Sequence, residues 1–271
     1  MENRLGRGLL LGALVVTLLC SVMGCENQQN TENKQDTSLQ KILDSGTLVL
    51  GLDNGFPPMG FLTREGRLEG FDIDVAQEVC NRMGIKLEKQ PIDWKSKEIA
   101  LNNRIIDCIW NGMSITPERA ENMTLSEPYM KNELIFVVPG ESTAKGITDL
   151  KGKKVGVQVG STAKADLEKK NLDVKIVPYE DNLQLLEGLR IRSVDAVLID
   201  SVVAYYFVFS NEETYYVLPE SLGEEEYAIG FRKGDKSLRD QIQKILGMMK
   251  EDGTLGEIST KWFGSDITIV K

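Results

Sequence analysis

Two kinds of hydrophobic pattern alternate along most of the chain. Thr47–Asp53 is a short apolar run of the kind typical of a buried strand. In Phe71–Met83 the apolar residues recur every three or four positions, which predicts a helix, and Gly84 ends it. Further strands are predicted at Ile85–Glu88, Asp107–Trp110, Glu133–Val138, Val155–Gln158, Val174–Val177, Ala196–Ile199, Tyr215–Leu218 and Tyr227–Phe231. Further helices are predicted at Lys95–Asn103, Thr162–Lys170, Leu183–Arg190, Val202–Phe209, around Leu238–Met249, and at Leu255–Phe263.

This alternation of strands and helices predicts an α/β fold with largely parallel sheets. In open sheets of this class, ligands bind beyond the carboxyl ends of the strands. Polar and aromatic residues that directly follow strands are therefore the first candidates for a functional site.

The N-terminal segment has the pattern of an export signal. Arg4 and Arg7 precede an apolar run, Leu9–Gly24, that is shorter than the roughly 20 residues of a membrane span. Residues 1–24 are therefore predicted to be a signal peptide, and 25–37, which lacks large apolar residues, a disordered tether. The segment ends in Val-Met-Gly-Cys, which resembles the lipobox of bacterial lipoproteins and makes Cys25 the predicted lipidation site. A plain cleaved signal or an uncut anchor is the alternative.

Composition removes several classes of function. The chain has 271 residues and no histidine, which excludes Ser-His-Asp and Cys-His catalysis and histidine-ligated zinc. Its formal charge is −9 without a long basic run, which argues against nucleic-acid binding. No cofactor or metal site is predicted. In the mature body, Cys80 and Cys108 lie in apolar segments, so we predict two buried thiols, with a disulfide as the alternative.

A small set of polar and aromatic residues follows four of the predicted strands. The set comprises Asp53 and Phe56; Gly112, Ser114 and Arg119; Gly160, Ser161 and Thr162; and Asp200. This chemistry suits a free α-amino acid. The planar guanidinium of Arg119 and the helix start at Ser161 and Thr162 suit its carboxylate, and Asp200 suits its ammonium. Phe56 and Trp94 are candidates for contact with the ligand side chain.

Each of these residues also has a structural explanation when it is considered alone. Arg119 fits a surface charge, Asp200 a helix cap, and Asp53 a turn stabilised by its own side chain. Phe56 and Trp94 fit a hydrophobic core. The functional interpretation therefore depends on the ordered set.

That ordered set resembles the bacterial extracellular solute-binding proteins of family 3. The resemblance covers Leu39 to Gly264 and is carried by LEGFDIDVAQEV, SITPERAENMTLSEPY, LKGKKVGVQVGST, VDAVLID, YAIGFRKGD and DGTLGEISTKWFG. It implies a two-lobed periplasmic-binding-protein fold of type II, with two mixed, mostly parallel sheets joined by two hinge strands. Lobe 1 would comprise 38–130 and 227–271, and lobe 2 would comprise 131–226.

The resemblance also implies roles for individual residues. Arg119 would hold the ligand carboxylate, with help from Ser114, Ser161 and Thr162. Asp200 and the backbone at Gly112 would hold the ammonium, Phe56 and Trp94 would flank the side chain, and Asp53 would contact its distal end. Asn111 and Gln158 depart from the family pattern and alter the side-chain pocket. We therefore expect a polar, basic or amide amino acid, but we do not transfer the specificity of any one relative to this chain.

The resemblance implies a monomer that is lipid-anchored on the extracytoplasmic face and delivers its ligand to an ABC permease. Two alternatives remain open. One is an enzyme of the same fold, similar to cyclohexadienyl dehydratase, in which Glu127, Glu187 or Asp200 would be the general acid. The other is a sensing subunit that binds the ligand without transport.

Overall fold

The structure is a computed structural model that describes residues 36–210 and 215–271. The predicted signal peptide, Cys25 and nearly all of the predicted tether lie outside the described residues. The strands are β1 Thr47–Leu52, β2 Gly55–Phe56, β3 Gly60–Leu62, β4 Leu68–Glu69, β5 Lys86–Pro91, β6 Cys108–Ile109, β7 Met123–Leu125, β8 Met130–Pro139, β9 Lys154–Gln158, β10 Lys175–Tyr179, β11 Ala196–Asp200, β12 Tyr215–Tyr227 and β13 Gly230–Arg232. The helices are α1 Ser38–Ser45, α2 Phe71–Met83, α3 Lys97–Asn102, α4 Pro117–Asn122, α5 Thr162–Lys170, α6 Asn182–Arg190, α7 Ser201–Ser210, α8 Lys236–Glu251 and α9 Thr254–Phe263, with 3₁₀ turns at Trp94–Ser96 and Ile147–Leu150.

Two five-stranded sheets organise the described chain. Their strand orders are β5-β1-β6-β13-β7 and β10-β9-β11-β8-β12. Within each sheet four strands point in one direction, and the reversed strand is β13 in the first sheet and β8 in the second. The prediction of mixed, mostly parallel sheets is confirmed.

The two sheets are connected by a long antiparallel ladder between β8 and β12. Met130 pairs with Tyr227 and Glu133 with Glu224 at one end, and the same strands continue into the second sheet. The first sheet uses strands from 47–125 and 230–232, whereas the second uses strands from 130–227. The molecule therefore has the two-lobed α/β fold with two hinge strands that the sequence predicts. The residue boundaries of the lobes stay a prediction.

Amphipathic helices cover the sheets, as their sequence periodicity requires. On α8, the side chains of Leu238, Ile242 and Met249 are fully buried. Burial of one such side chain contributes roughly 1.5–3 kcal/mol to folding. Cys80 on α2 and Cys108 on β6 are buried free thiols, which confirms the prediction for this pair.

The structure differs from the predicted elements in the final strands. The predicted strand Tyr227–Phe231 is wrong as a single element, because Tyr227 ends β12 and β13 begins at Gly230. Between them the Ala228 amide donates to the Met113 carbonyl, which turns the chain from the hinge into the first sheet. The predicted strand Tyr215–Leu218 is extended through Pro219, which is tolerated because β12 is an edge strand with a register shift.

Candidate functional site

A small cavity lies where loops from the ends of the two sheets meet. It is lined by eleven of the residues that the sequence identified, whereas Gly160, also in that set, does not line it. The eleven are Asp53, Phe56, Trp94, Asn111, Gly112, Ser114, Arg119, Gln158, Ser161, Thr162 and Asp200. The prediction that these residues converge is met by the geometry, and their role in ligand binding stays a prediction.

Parallel strands explain this convergence. Asp53 directly follows β1, Gln158 is the last residue of β9, and Asp200 is the last residue of β11. The carboxyl ends of parallel neighbours lie at one edge of a sheet, so polar residues at these positions meet in one cleft.

Arg119 contributes a buried positive charge to the cavity. Helix α4 begins at Pro117 and is capped by Thr116, whose hydroxyl accepts from the Arg119 amide. The Arg119 side chain is buried, with 7% of the residue exposed, and Nη1 donates to the Ser114 carbonyl at 2.6 Å. Within the described part of the chain, no carboxylate lies within 4.0 Å of its guanidinium. Burial lowers its pKa, so the site holds a cation that an anion would stabilise.

The start of α5 faces the same cavity from the second lobe. Ser161 caps the helix by accepting from the Lys164 amide at 3.1 Å, and Thr162 is its first residue. The Thr162 hydroxyl lies 3.4 Å from the Ser114 hydroxyl, which comes from the first lobe. A helix N-terminus carries a partial positive charge that favours a bound carboxylate.

Asp200 lines the cavity, and Glu225 lies close to it. Asn132 Nδ2 donates to Asp200 Oδ1 at 2.7 Å and to Glu225 Oε2 at 2.9 Å, and the Tyr227 hydroxyl donates to the same Asp200 oxygen at 2.6 Å. Burial and the nearby Glu225 raise the pKa of Asp200 to about 7. A cationic group placed here would favour the ionised form of Asp200.

Sequence reasoning missed Glu225 and Asn132. Glu225 lies in a run of three glutamates that has the composition of a solvent-exposed segment. The one available signal was the two-residue period of a strand, which places Glu225 on the same face as the buried Tyr227.

Asp53 lies at another end of the cavity in a dense hydrogen-bond network. Its Oδ1 accepts from the Gly55 amide at 2.8 Å, and its Oδ2 accepts from Gln158 Nε2 at 2.5 Å. The Gln158 orientation is fixed because its Oε1 accepts from Asn182 Nδ2 at 2.8 Å. Burial raises the pKa of Asp53 to about 6, and the charges of Asp181 and Asp93 act in the same direction.

Aromatic rings and one glycine shape the cavity wall. Gly112 has φ +54°, and a Cβ at this position would lie 2.6 Å from a carbon of the Phe56 ring. The Gly112 amide donates to Asp72 Oδ2 at 2.7 Å. Its carbonyl oxygen is therefore the part of this backbone that suits an ammonium, because the N–H is a donor and already has a partner.

The cleft between the lobes is closed in this structure. The bond from Gln158 to Asp53 and the contact between Thr162 and Ser114 both join the two lobes. Phe61 and Tyr206 add an aromatic contact across the cleft, with ring centroids 6.1 Å apart.

Among the helices of residues 36–210 and 215–271, none has the length and hydrophobicity that a membrane-spanning helix requires.

Two lobes that close on a small polar cavity define the class of the periplasmic solute-binding proteins. The family model of the bacterial extracellular solute-binding proteins, family 3, matches residues 48–265, and the chain belongs to this family.

Several known proteins are similar to this chain over most of its length. It is 31% identical over 267 residues to the L-cystine-binding protein TcyJ of Escherichia coli (strain K12), covering 97% of this chain and 98% of the relative. A crystal structure of an ABC uptake transporter substrate-binding protein from Streptococcus pneumoniae with bound histidine has a TM-score of 0.83 and 36% identity, covering 86% of this chain and 98% of that chain. The structure of Tv2483 bound to L-arginine has a TM-score of 0.82 and 32% identity, with 87% and 98% covered.

Proposed function

We propose that this protein is an extracytoplasmic lipoprotein that binds a polar L-amino acid and delivers it to an ABC importer. The observation that carries the proposal is the buried Arg119 guanidinium without a carboxylate partner in the described chain, in a cavity that also contains Asp200. A cation and a carboxylate on one small cavity match the two charges of a free α-amino acid.

In this proposal the ligand carboxylate binds Arg119 and the start of α5. Arg119 has donors that remain after its bond to Ser114, and a planar guanidinium can donate twice to one carboxylate. The ammonium binds Asp200, close to Glu225, and becomes the counter-ion of this carboxylate pair.

The ligand side chain extends toward Asp53 between Phe56 and Trp94. An acceptor at the far end favours an N–H donor, so we propose a basic or amide side chain. The charges of Asp181 and Asp93, close enough to affect the pKa of Asp53, support a cationic end. The binding of L-arginine by Tv2483 and of histidine by the pneumococcal protein supports the same range of ligand side chains.

We propose binding without turnover. Of the three candidate acids for an enzyme, Glu127 and Glu187 are exposed and do not line the cavity, and Glu187 pairs with Arg190 at 2.7 Å. Only Asp200 lines the cavity, where a bound ammonium would keep it ionised and unable to act as an acid. Transport is distinguished from sensing by a permease and ATPase encoded beside this gene.

The charge assignment is tested with Arg119→Met and Asp200→Asn. Each variant leaves one ligand charge unpaired in a buried site, which costs about 2–5 kcal/mol, so we expect amino-acid affinity to fall at least roughly thirtyfold. Arg67→Met is the matched control, because its exposed side chain lies outside the cavity. Wild-type affinity in either site variant, with normal thermal unfolding, would contradict the assignment of that residue.

The lipid anchor is tested by fatty-acid labelling of the exported protein. We expect label in the wild type, loss of label in Cys25→Ala, and retention in Cys20→Ala, which changes a cysteine five positions earlier. Absence of label from the wild type, or label that persists in Cys25→Ala, would contradict lipidation of Cys25.

A further inference from the structure

Lys97 is a buried lysine whose position the sequence did not single out. It is the first residue of α3, and only 5% of it is exposed. Its ammonium donates to the Trp94 carbonyl at 3.1 Å and to the Gly160 carbonyl at 3.2 Å. Within the described residues, no carboxylate lies within 4.0 Å of this ammonium, although lysines are almost never fully buried without a charge partner.

The Gly160 carbonyl belongs to the turn that leads into α5. Gly160 has φ +74°, and a Cβ there would lie 2.8 Å from the Lys95 Cα, so this turn packs directly against the segment that precedes α3. The next residue, Ser161, caps α5. Lys97 therefore connects the first lobe to the part of the second lobe that presents the helix start to the cavity.

Lys97 and Arg119 both line a groove beside the start of α5. Burial lowers the pKa of Lys97 to about 8, and the charge of Arg119 acts in the same direction. Two buried cations near one helix N-terminus repel each other, and the carboxylates of Glu98, Glu118 and Asp93 offset only part of the effect on Lys97. A carboxylate bound at Arg119 would stabilise both cations at once.

We propose that Lys97 is a positioning residue of the carboxylate site, which holds the Gly160 turn against the first lobe and adds a second positive charge. The proposal rests on the proposed amino-acid binding. Lys97 acts on the carboxylate end that every α-amino acid shares. It therefore sets the affinity for all ligands and the lifetime of the closed cleft. Its ammonium also lies over the Trp94 ring, 4.9 Å from the centroid, so differences between ligands should be smaller than the loss that all of them share.

The test compares Lys97→Met with Lys95→Met in titrations with L-arginine, L-histidine, L-glutamine and L-cystine. For Lys97→Met we expect every ligand that binds the wild type to lose affinity by a similar factor, on the order of tenfold to hundredfold, with faster dissociation. Lys95→Met also removes a lysine bond between the lobes, but the Lys95–Glu180 pair is exposed, so its affinities should stay within about twofold.

Two further measurements separate positioning from a purely structural role. Lys97→Gln keeps a donor for the Gly160 carbonyl without the charge, and we expect part of the affinity to return. In the wild type, ¹³C NMR of the Lys97 side chain should show its pKa rising when a ligand binds, because the ligand carboxylate favours the ammonium. This second measurement does not depend on the folding of any variant.

The outcomes are distinguishable. Unchanged affinity in Lys97→Met for a ligand that binds the wild type, a loss confined to one of several ligands that bind the wild type, or a Lys97 pKa that does not rise on binding would overturn the role of Lys97 alone. If the wild type binds none of the four amino acids, the proposed function fails and the role of Lys97 fails with it.

Discussion

At the scale of single residues, Asp53 illustrates how neighbours set the properties of one carboxylate. Burial raises its pKa to about 6, whereas the Gly55 amide and the Gln158 side chain donate to its two oxygens and favour the charged form. Near neutral pH Asp53 is therefore mainly ionised. An ionised acceptor at this end of the cavity favours ligands with a positive or N–H-rich tip.

Asp53→Asn should change selectivity more than stability. The asparagine oxygen can still accept from Gln158, so folding should be preserved, but the negative charge is lost. We expect cationic amino acids to lose affinity by roughly tenfold or more, and neutral ones to lose much less. Titration with the same panel checks this, with Asp173→Asn as the control, because Asp173 is exposed and does not line the cavity. An equal loss for every ligand would refute a selective role.

At the scale of secondary-structure elements, Asp72 joins three segments around the site. It lies in the first turn of α2, and its Oδ2 accepts from the Gly112 amide at 2.7 Å and the Tyr129 hydroxyl at 3.0 Å. Gly112 follows β6, and Tyr129 immediately precedes the hinge strand β8. Burial raises the pKa of Asp72 to about 7.

The raised pKa of Asp72 predicts that the free energy of unfolding depends on pH. The folded state binds the proton more tightly than the unfolded state, whose pKa is near 3.8, so stability decreases as pH rises from about 4 to about 7. Asp72→Asn removes this dependence. We expect its free energy of unfolding, relative to the wild type, to increase across this window by on the order of 2–4 kcal/mol. Denaturant unfolding at several pH values measures this, and a pH-independent difference would exclude the explanation.

The elements also show what the sequence could and could not predict. Helices α2 and α5 match their predicted bounds, because each has a clear start or stop signal. Strands β2, β3 and β4 were missed, since two or three residues are too few to show a period. Helix α4 was missed because Pro117–Asn122 has no apolar stripe. Helix α1 was missed because it lies at the edge of the polar N-terminal stretch.

The site was predictable to the extent that it depends on strand ends. Asp53 and Asp200 each follow an apolar run, so their positions could be derived from the sequence and one rule about parallel sheets. Glu225, Asn132 and Lys97 could not be found in this way. Their burial depends on pairing of the hinge strands and on contact between the lobes, which join residues far apart in the chain.

At the scale of the whole molecule, the cavity is made by both lobes together. Arg119 and Asp53 belong to the first, and Asp200, Ser161 and Gln158 belong to the second. An α-amino acid that binds Arg119 by its carboxylate and Asp200 by its ammonium therefore joins the lobes. Such a ligand stabilises the closed form in proportion to the contacts that exist only after closure.

The most direct test of this account is calorimetric titration of the mature protein after unfolding and refolding have removed carried-over ligand. The panel would contain L-arginine, L-histidine, L-glutamine and L-cystine, each with its N-acetyl and methyl-ester derivatives. We predict that at least one free amino acid binds and that both of its blocked derivatives do not, because each loses one of the two charges. Binding of the blocked forms as tightly as the free amino acid, or no binding by any member, would contradict the account.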